Sequence, residues 1–436
     1  MSLGSDNRVL AASRHDVSGS NHSRWLPIAR HQVPGADGSL PGRLHKAGTA
    51  HDKADNRQFF CDQYVGLLLL YFFNPTVRTL RGMRKLTDLE SVQRRLECHR
   101  VSLSSLSEAG SAFDAEPVRE IFRELSAQMP AAPMSNQHNA LRTLTAVEGS
   151  LLPALPRMTW GLWLNEHHHA ARLHLHFEVA RGIPADASIT TGQGSEVRQL
   201  RQHFHAGRLH VLDRGYACQD LLVDIQAARA SYIVRTKECT AFTTARQFPL
   251  PARASAAGVV RDVLVDRLDS NHHKRTPFEP VRLVEIQTDT SRLVLLTDQL
   301  EMPADLIALA YRSRRSIELF FRWFKCTPGC RHLLGESLNA LSIQVYAGLI
   351  ASLLLSIRAN QKPTRRTFEM VCHYMAGWAK EEELQRHLNE NNRQPSGPGQ
   401  TVCRTVLSST QSGARINSLR LNRRRTLSAS GIAGTA

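Results

Sequence analysis

The chain has 436 residues, with 55 Lys or Arg against 39 Asp or Glu, a formal net charge of +16 and a pI near 10.0. That length supports two or three domains, each able to bury its own core. Because the basic excess is spread along the chain and not packed into one amphipathic helix, it favours nucleic acid over a membrane surface. The 8 cysteines are scattered and include no C-x-x-C pair, so neither a disulfide framework nor a zinc ribbon is indicated and a reducing cytoplasm fits best.

Residues 1–56, rich in Ser, Gly, His, Asn and Asp, read as a disordered leader without a secretory signal. Residues 57–135 turn helical, through YVGLLLLYFF, TLRGMRKLTDLESVQRRL and EPVREIFRELSAQM, with Pro117 near a helix start and a serine-rich cap in SLSSLSEA. A small all-helical domain with surface arginines suits DNA docking; dimerisation is an equally good reading of the same features.

Periodicity changes after Pro133. LTAVEGS (144–150) reads as a buried strand, and ARLHLHFEVA (171–180) alternates strictly, with Leu173, Leu175, Phe177 and Val179 opposite Arg172, His174, His176 and Glu178. A third strand is expected near 185–190, a helix from Ser195 to Phe204, a strand over 208–213, a helix from Tyr216 to Ala228 and a strand over 231–236. This β-β-β-α-β-α-β order is that of a ribonuclease-H-like mixed sheet, the fold class expected here, begun by residues 136–237.

Residues 238–302 read as a β-rich insertion carrying VVRDVLVDRL, PVRLVEIQT and SRLVLLTDQL, and residues 303–392 as the helical remainder of the core. Residues 393–436, with Arg423 to Arg425, read as a disordered basic tail. Two apolar runs fail as membrane spans, since Tyr64 to Phe73 is too short and Leu341 to Ile357 is interrupted by Ser342, Gln344, Ser352 and Ser356. Both are expected to be buried helices.

Within YRSRRSIELFFRWFK, the residues Tyr311, Arg314, Glu318 and Lys325 stand at offsets of zero, three, seven and fourteen, on one stripe of a helix. Arg315 and Arg322 border it, while Ile317, Phe320, Phe321 and Phe324 form an apolar flank. A carboxylate ringed by cations suits a site holding a metal ion beside a phosphodiester; ordinary surface ion pairs are the bland alternative.

Two more acids sit at strand ends, Glu148 and Asp213, the latter in LDRGY, where Gly215 permits a sharp exit. With Glu318 they form a set of carboxylates suited to two divalent cations. Singly, Asp213 is also a good helix cap and Glu148 a good turn residue. Consecutive His167, His168 and His169, with His174 and His176 on one strand face, raise a zinc site, but adjacent imidazoles rarely converge tetrahedrally; a loop and the polar face of a strand near DNA is the preferred reading.

EGSLLPALPRMTWGLW, HLHFEVARGIP, HVLDRGY and YRSRRSIELFFRWFK together resemble the DDE transposases of bacterial insertion sequences, in the Y-R-E-K signature group of the insertion-sequence-four type. The resemblance covers roughly residues 59–390 and is firmest in the core. It implies Mg²⁺ or Mn²⁺ at two ions per site, held by Glu148, Asp213 and Glu318, with Tyr311, Arg314 and Lys325 positioning DNA; Arg322 and Arg315, bordering the stripe, are expected to bind DNA beside them, although Arg315 stands where some relatives carry an aromatic. It further implies cleavage at terminal inverted repeats, transfer to target DNA, a homodimer on DNA, and a cytoplasmic, nucleoid-associated place in a bacterium, with no membrane. The family carries Asp at the first position, in a D-G-S context, where this chain has Glu148. A catalytically impaired, sequence-specific DNA-binding protein is the alternative, and non-specific binding of RNA or acidic surfaces a third reading.

Overall fold

The structure, a computed structural model, describes residues 42–45, 57–130, 136–153, 158, 160, 170–236, 242–268, 280–326, 332–360, 362 and 364–393. The expected basic tail beyond Arg393, His167 to His169 and all but residues 42–45 of the expected leader lie outside the described residues.

Among the described residues, and besides a short helical turn at 42–45, five helices precede the sheet: α1 (Cys61–Phe73), α2 (Leu80–Leu86), α3 (Glu90–Leu96), α4 (Leu103–Ala112) and α5 (Glu116–Gln128). Their starts follow from local chemistry. The Thr79 hydroxyl accepts the Gly82 amide at 3.1 Å, Ser102 accepts the Ser105 amide at 3.0 Å, and Pro117 occupies the first turn of α5. The apolar run of α1 is buried on most of its circumference, with Leu67 and Leu68 both fully covered.

Nine strands follow among the described residues: β1 (Leu144–Pro153), β2 (Ala170–Glu178), β3 (Ile183–Thr191), β4 (Leu209–Leu212), β5 (Ser231–Arg235), β6 (Phe242–Gln247), β7 (Val259–Leu268), β8 (Val281–Gln287) and β9 (Arg292–Thr297). They form one sheet in the order β3-β2-β1-β4-β5-β9-β8-β7-β6. The first three strands pair antiparallel, β1, β4 and β5 run parallel, and β9 to β6 continue antiparallel from β5. The strands of residues 238–302 therefore extend the central sheet through backbone hydrogen bonds between β5 and β9.

The remaining helices are α6 (Glu196–Arg201), α7 (Gln219–Ala227), α8 (Ala252–Ala256), α9 (Ala304–Ser313), α10 (Arg315–Cys326), α11 (Leu338–Ala359), α12 (Arg365–Met375) and α13 (Glu381–Arg393). One face of the sheet, presenting Val147, Leu212, Tyr232 and Val234, is covered by α6 and α7 through Leu200, Leu221, Leu222 and Ile225. The other, presenting Ala146, Leu173, Leu175, Phe177 and Val211, shares a single core with α9, α10, α11 and the five leading helices. α11 is the hub of that core, touching α1, α4, α5 and β3. It is long and apolar enough to cross a membrane, but 89% of its most apolar window is buried inside the protein. Each fully covered leucine along it, such as Leu341, Leu349 and Leu353, contributes on the order of 2 kcal/mol relative to exposure.

Strict alternation in β2 correctly separates two faces, but the histidine face is buried as well. His174 and His176 are 3% and 5% exposed because α6 and its following turn pack over them. A strand covered on both sides can still alternate when the second layer accommodates imidazoles. His174 pairs with the Thr190 hydroxyl at 2.8 Å, and the His176 ring lies 5.5 Å from that of His203.

Candidate active site

Glu148 lies within β1, opposite Leu175 of β2, on the side of the strand that faces the α9 to α11 layer. Asp213 follows β4, which is parallel to β1, at the entry of a 3-10 turn over Arg214–Tyr216. Its side chain does not cap that turn, so the bland role anticipated for it is unfilled. Both carboxylates thus emerge from neighbouring parallel strands.

The Y-R-E-K segment is not one straight helix. α9 ends at Ser313, Arg314 sits in the junction, and α10 begins at Arg315. The bonds across the break are of the tighter i to i−3 kind, from the Arg314 amide to Tyr311 and from the Ile317 amide to Arg314, both at 3.1 Å. The Ser313 hydroxyl donates to the Leu309 carbonyl at 2.7 Å, a back-bond that bends helices. The break changes the geometry of the stripe without dispersing it.

Arg314 brings two acids together. One terminal nitrogen donates to Glu148 Oε2 at 3.1 Å and the other to Glu318 Oε1. The Tyr311 hydroxyl donates to Asp213 Oδ1 at 3.3 Å, attaching the third acid to the same helix pair. Lys325 donates to the Leu151 carbonyl at 2.6 Å, tying α10 to β1 three residues beyond Glu148. Of the flanking cations, Arg322 is exposed and Arg315 half-buried on α10.

The electrostatics follow from this crowding. Burial pushes the Glu148 carboxyl up to about 7; Arg314 works against the rise, while Glu318, Asp213 and Glu196 add to it. Burial, reinforced by the Asp213 charge, pushes the Tyr311 hydroxyl up to about 12. Burial also penalises the Arg314 charge, but Glu318, Glu148 and Asp213 outweigh it and hold the guanidinium above its ordinary value. Lys325 is lowered by burial, with Glu148 opposing the shift.

Among the described residues no group of three or more His, Cys, Asp or Glu side chains is arranged to hold a metal ion. The three acids meet through Arg314 and Tyr311. Their donor chemistry, carboxylate oxygen throughout, is nonetheless that of a site for a hard divalent cation. A fourth acid that the sequence did not single out, Glu196 in the first turn of α6, approaches the back of β1 at Gly149 and receives Arg172 at 2.5 Å. The one local hint of it was the glycine beside Glu148, which leaves room for a close neighbour.

Asp213 closes one strand as expected, whereas Glu148 lies inside its parallel neighbour β1 and not at the strand end expected for it, because the β1–β2 ladder runs on to Pro153; acids and an arginine so gathered suit phosphoryl chemistry. Residues 140–354 match the family described as Transposase DDE domain, a span that contains every residue of this site. A putative transposase of Sinorhizobium fredii is 29% identical over 43% of this chain and 53% of its own length. A putative transposase for an insertion sequence element of Synechocystis is 22% identical over 70% of this chain and 84% of its own. The chain thus spans about half the length of the first of these relatives. A solved piggyBac transposase synaptic complex with hairpin DNA overlaps loosely, at a TM-score of 0.39 and 11% identity over 86% of each chain. Over residues 140–354 the chain is thus similar to the DDE transposases of insertion sequences.

Proposed function

We propose that the chain is a DNA transposase that cleaves strands at the inverted repeats ending its element and joins them to target DNA. The observation that carries this reading is the convergence of Glu148, Asp213 and Glu318 around Arg314 and Tyr311, across 98 residues of sequence between Asp213 and Tyr311 and 166 between Glu148 and Arg314. The order β3-β2-β1-β4-β5, antiparallel then parallel, supports a ribonuclease-H-like core, with β6 to β9 as an insertion before the last acid.

In this reading Glu148, Asp213 and Glu318 would hold two Mg²⁺ or Mn²⁺ ions. Such ions, when bound, stabilise the attacking and leaving oxygens of an in-line displacement. Arg314 neutralises the acids before DNA arrives and would turn its fork to a phosphate when cations take over that role. Tyr311 orients Asp213, and Lys325, Arg322 and Arg315 would hold the DNA backbone along α10. Exposed Arg78, Arg81 and Lys85 on and before α2 would supply the DNA contacts of the leading helices. Two element ends must meet, which calls for a homodimer on DNA, working in the bacterial cytoplasm at the nucleoid.

The test is Mg²⁺-dependent nicking, by the purified chain, of duplex DNA carrying the element's own terminal repeats, beside Asp213→Ala and Glu318→Ala. Nicking by the parent and loss in both variants is expected. Specific binding of the repeats without nicking would mean instead a DNA-binding protein that has lost catalysis, the reading that Glu148 in place of Asp favours.

A further inference from the structure

We infer that Glu196 is a positioning residue that sets the spacing between Glu148 and Asp213 from behind the sheet. The inference rests on the transposase reading for its functional consequence, but its geometry stands alone.

Gly149 follows Glu148 in β1, so its missing side chain would point to the opposite face, towards α6. A Cβ built there would meet Glu196 Cδ and Oε1 at 2.7 Å each, closer than real atoms approach. The carboxylate therefore rests directly on the β1 backbone beside Glu148. Two side chains flank it there. Arg172, on β2, donates to Oε1 at 2.5 Å, and the buried Tyr216 hydroxyl faces Glu196, whose charge adds to the burial that raises it. Tyr216 closes the 3-10 turn that begins at Asp213, its amide donating to the Asp213 carbonyl at 2.9 Å.

One carboxylate thus links β2, the backbone next to Glu148 and the turn that carries Asp213. Neither acid can move relative to the other without disturbing this contact. Because phosphoryl transfer is sensitive to displacements of about 1 Å, the spacing of the two acids is a property worth fixing. Glu196 touches no reacting group; it acts through Gly149 and Tyr216.

The experiment uses the full chain with Glu196→Ala, Glu196→Gln, Gly149→Ala and the Glu196→Ala/Gly149→Ala double variant. Mn²⁺ affinity is read by calorimetric titration and melting by calorimetry. Glu196→Ala should weaken Mn²⁺ binding about tenfold, the scale of lost support for metal ligands, and Glu196→Gln, which keeps the wedge and an acceptor for Arg172, should restore most of it. Gly149→Ala should lower the melting temperature, and should cost measurably less in the Glu196→Ala background. Unchanged Mn²⁺ affinity in Glu196→Ala, or equal losses in Ala and Gln, would overturn the positioning role. Strict additivity in melting would overturn the contact itself. Should the parent bind no Mn²⁺, the transposase reading fails, and the melting cycle still decides whether Glu196 braces the two strands.

Discussion

Arg314 donates to Glu148 at 3.1 Å while its other terminal nitrogen holds Glu318, so one half-buried guanidinium joins a strand acid to a helix acid. Two carboxylates that repel each other are kept near one another by a planar fork whose charge cannot be removed at ordinary pH.

Replacing that fork should be costly even when charge is kept. Arg314→Lys offers a single ammonium in place of two divergent donors and should lower strand cleavage about 100-fold with little change in DNA affinity. Arg314→Ala should also destabilise the fold by about 3 kcal/mol, near the low end for a broken buried pair because Glu318 is 42% exposed and screened. Single-turnover cleavage and denaturant melts check the two expectations; cleavage by Arg314→Lys at the parental rate would remove Arg314 from the reaction.

Glu148→Asp should cleave faster than the parent. The family carries Asp here, and shortening the side chain withdraws its carboxylate by roughly 1.5 Å, a shift to which metal-centred chemistry responds. Parallel time courses on terminal-repeat DNA in Mg²⁺ make the comparison, and equal rates would show that Glu148 is not a metal ligand.

Glu148 also predicts a pH dependence. Its folded-state value of about 7 lies above the ordinary 4.5, so it is largely protonated at pH 6 and ionised at pH 8. Cleavage that needs its charge should therefore rise through about pH 7. The sign for stability is opposite: the raised value favours the fold below pH 4.5, and that contribution is lost as pH rises through about 7. A pH–rate profile that stays flat from 6 to 8 in the parent would refute the link.

A second pH effect comes from the far face of the sheet. Burial lowers His176 to about 3 and His210 to about 4, with neighbouring His205 and Arg208 adding to the shift at His210. Among the described residues neither ring nitrogen of His210 has a hydrogen-bond partner, and the residue is 1% exposed. Because these values fall below the ordinary 6.5, the stability they contribute is complete above pH 6.5 and drains as pH falls towards 4. Melting temperature should follow that course, and His210→Phe should flatten it; an unchanged acid limb in that variant would place the sensitivity elsewhere.

Local period made much of this legible before any coordinates, although Glu148 lies inside β1 and not at its end. The alternation of β2, the acid closing β4 and the stripe from Tyr311 to Lys325 each depend on local spacing, which sequence records directly. Three features escaped because they depend on tertiary contact. The bend at Arg314 comes from Ser313 back-bonding and tight turns that a 3.6-residue period does not register. The burial of His174 and His176 reflects a second layer over the sheet, which alternation cannot report. The approach of Glu196 to Gly149 joins elements separated by two strands, with only the glycine as a trace.

The placement of α11 has a bearing on biosynthesis. The leading helices emerge from the ribosome first, yet the element that covers α1 and α5 is finished only at residue 359. A nascent chain must hold those greasy surfaces in check until then, and a frameshifted product ending before residue 338 would never cover them. Such a fragment is expected to precipitate or be degraded, an expectation that expressing residues 57–330 alone and measuring their soluble fraction would refute if the fragment stayed in solution as a folded monomer.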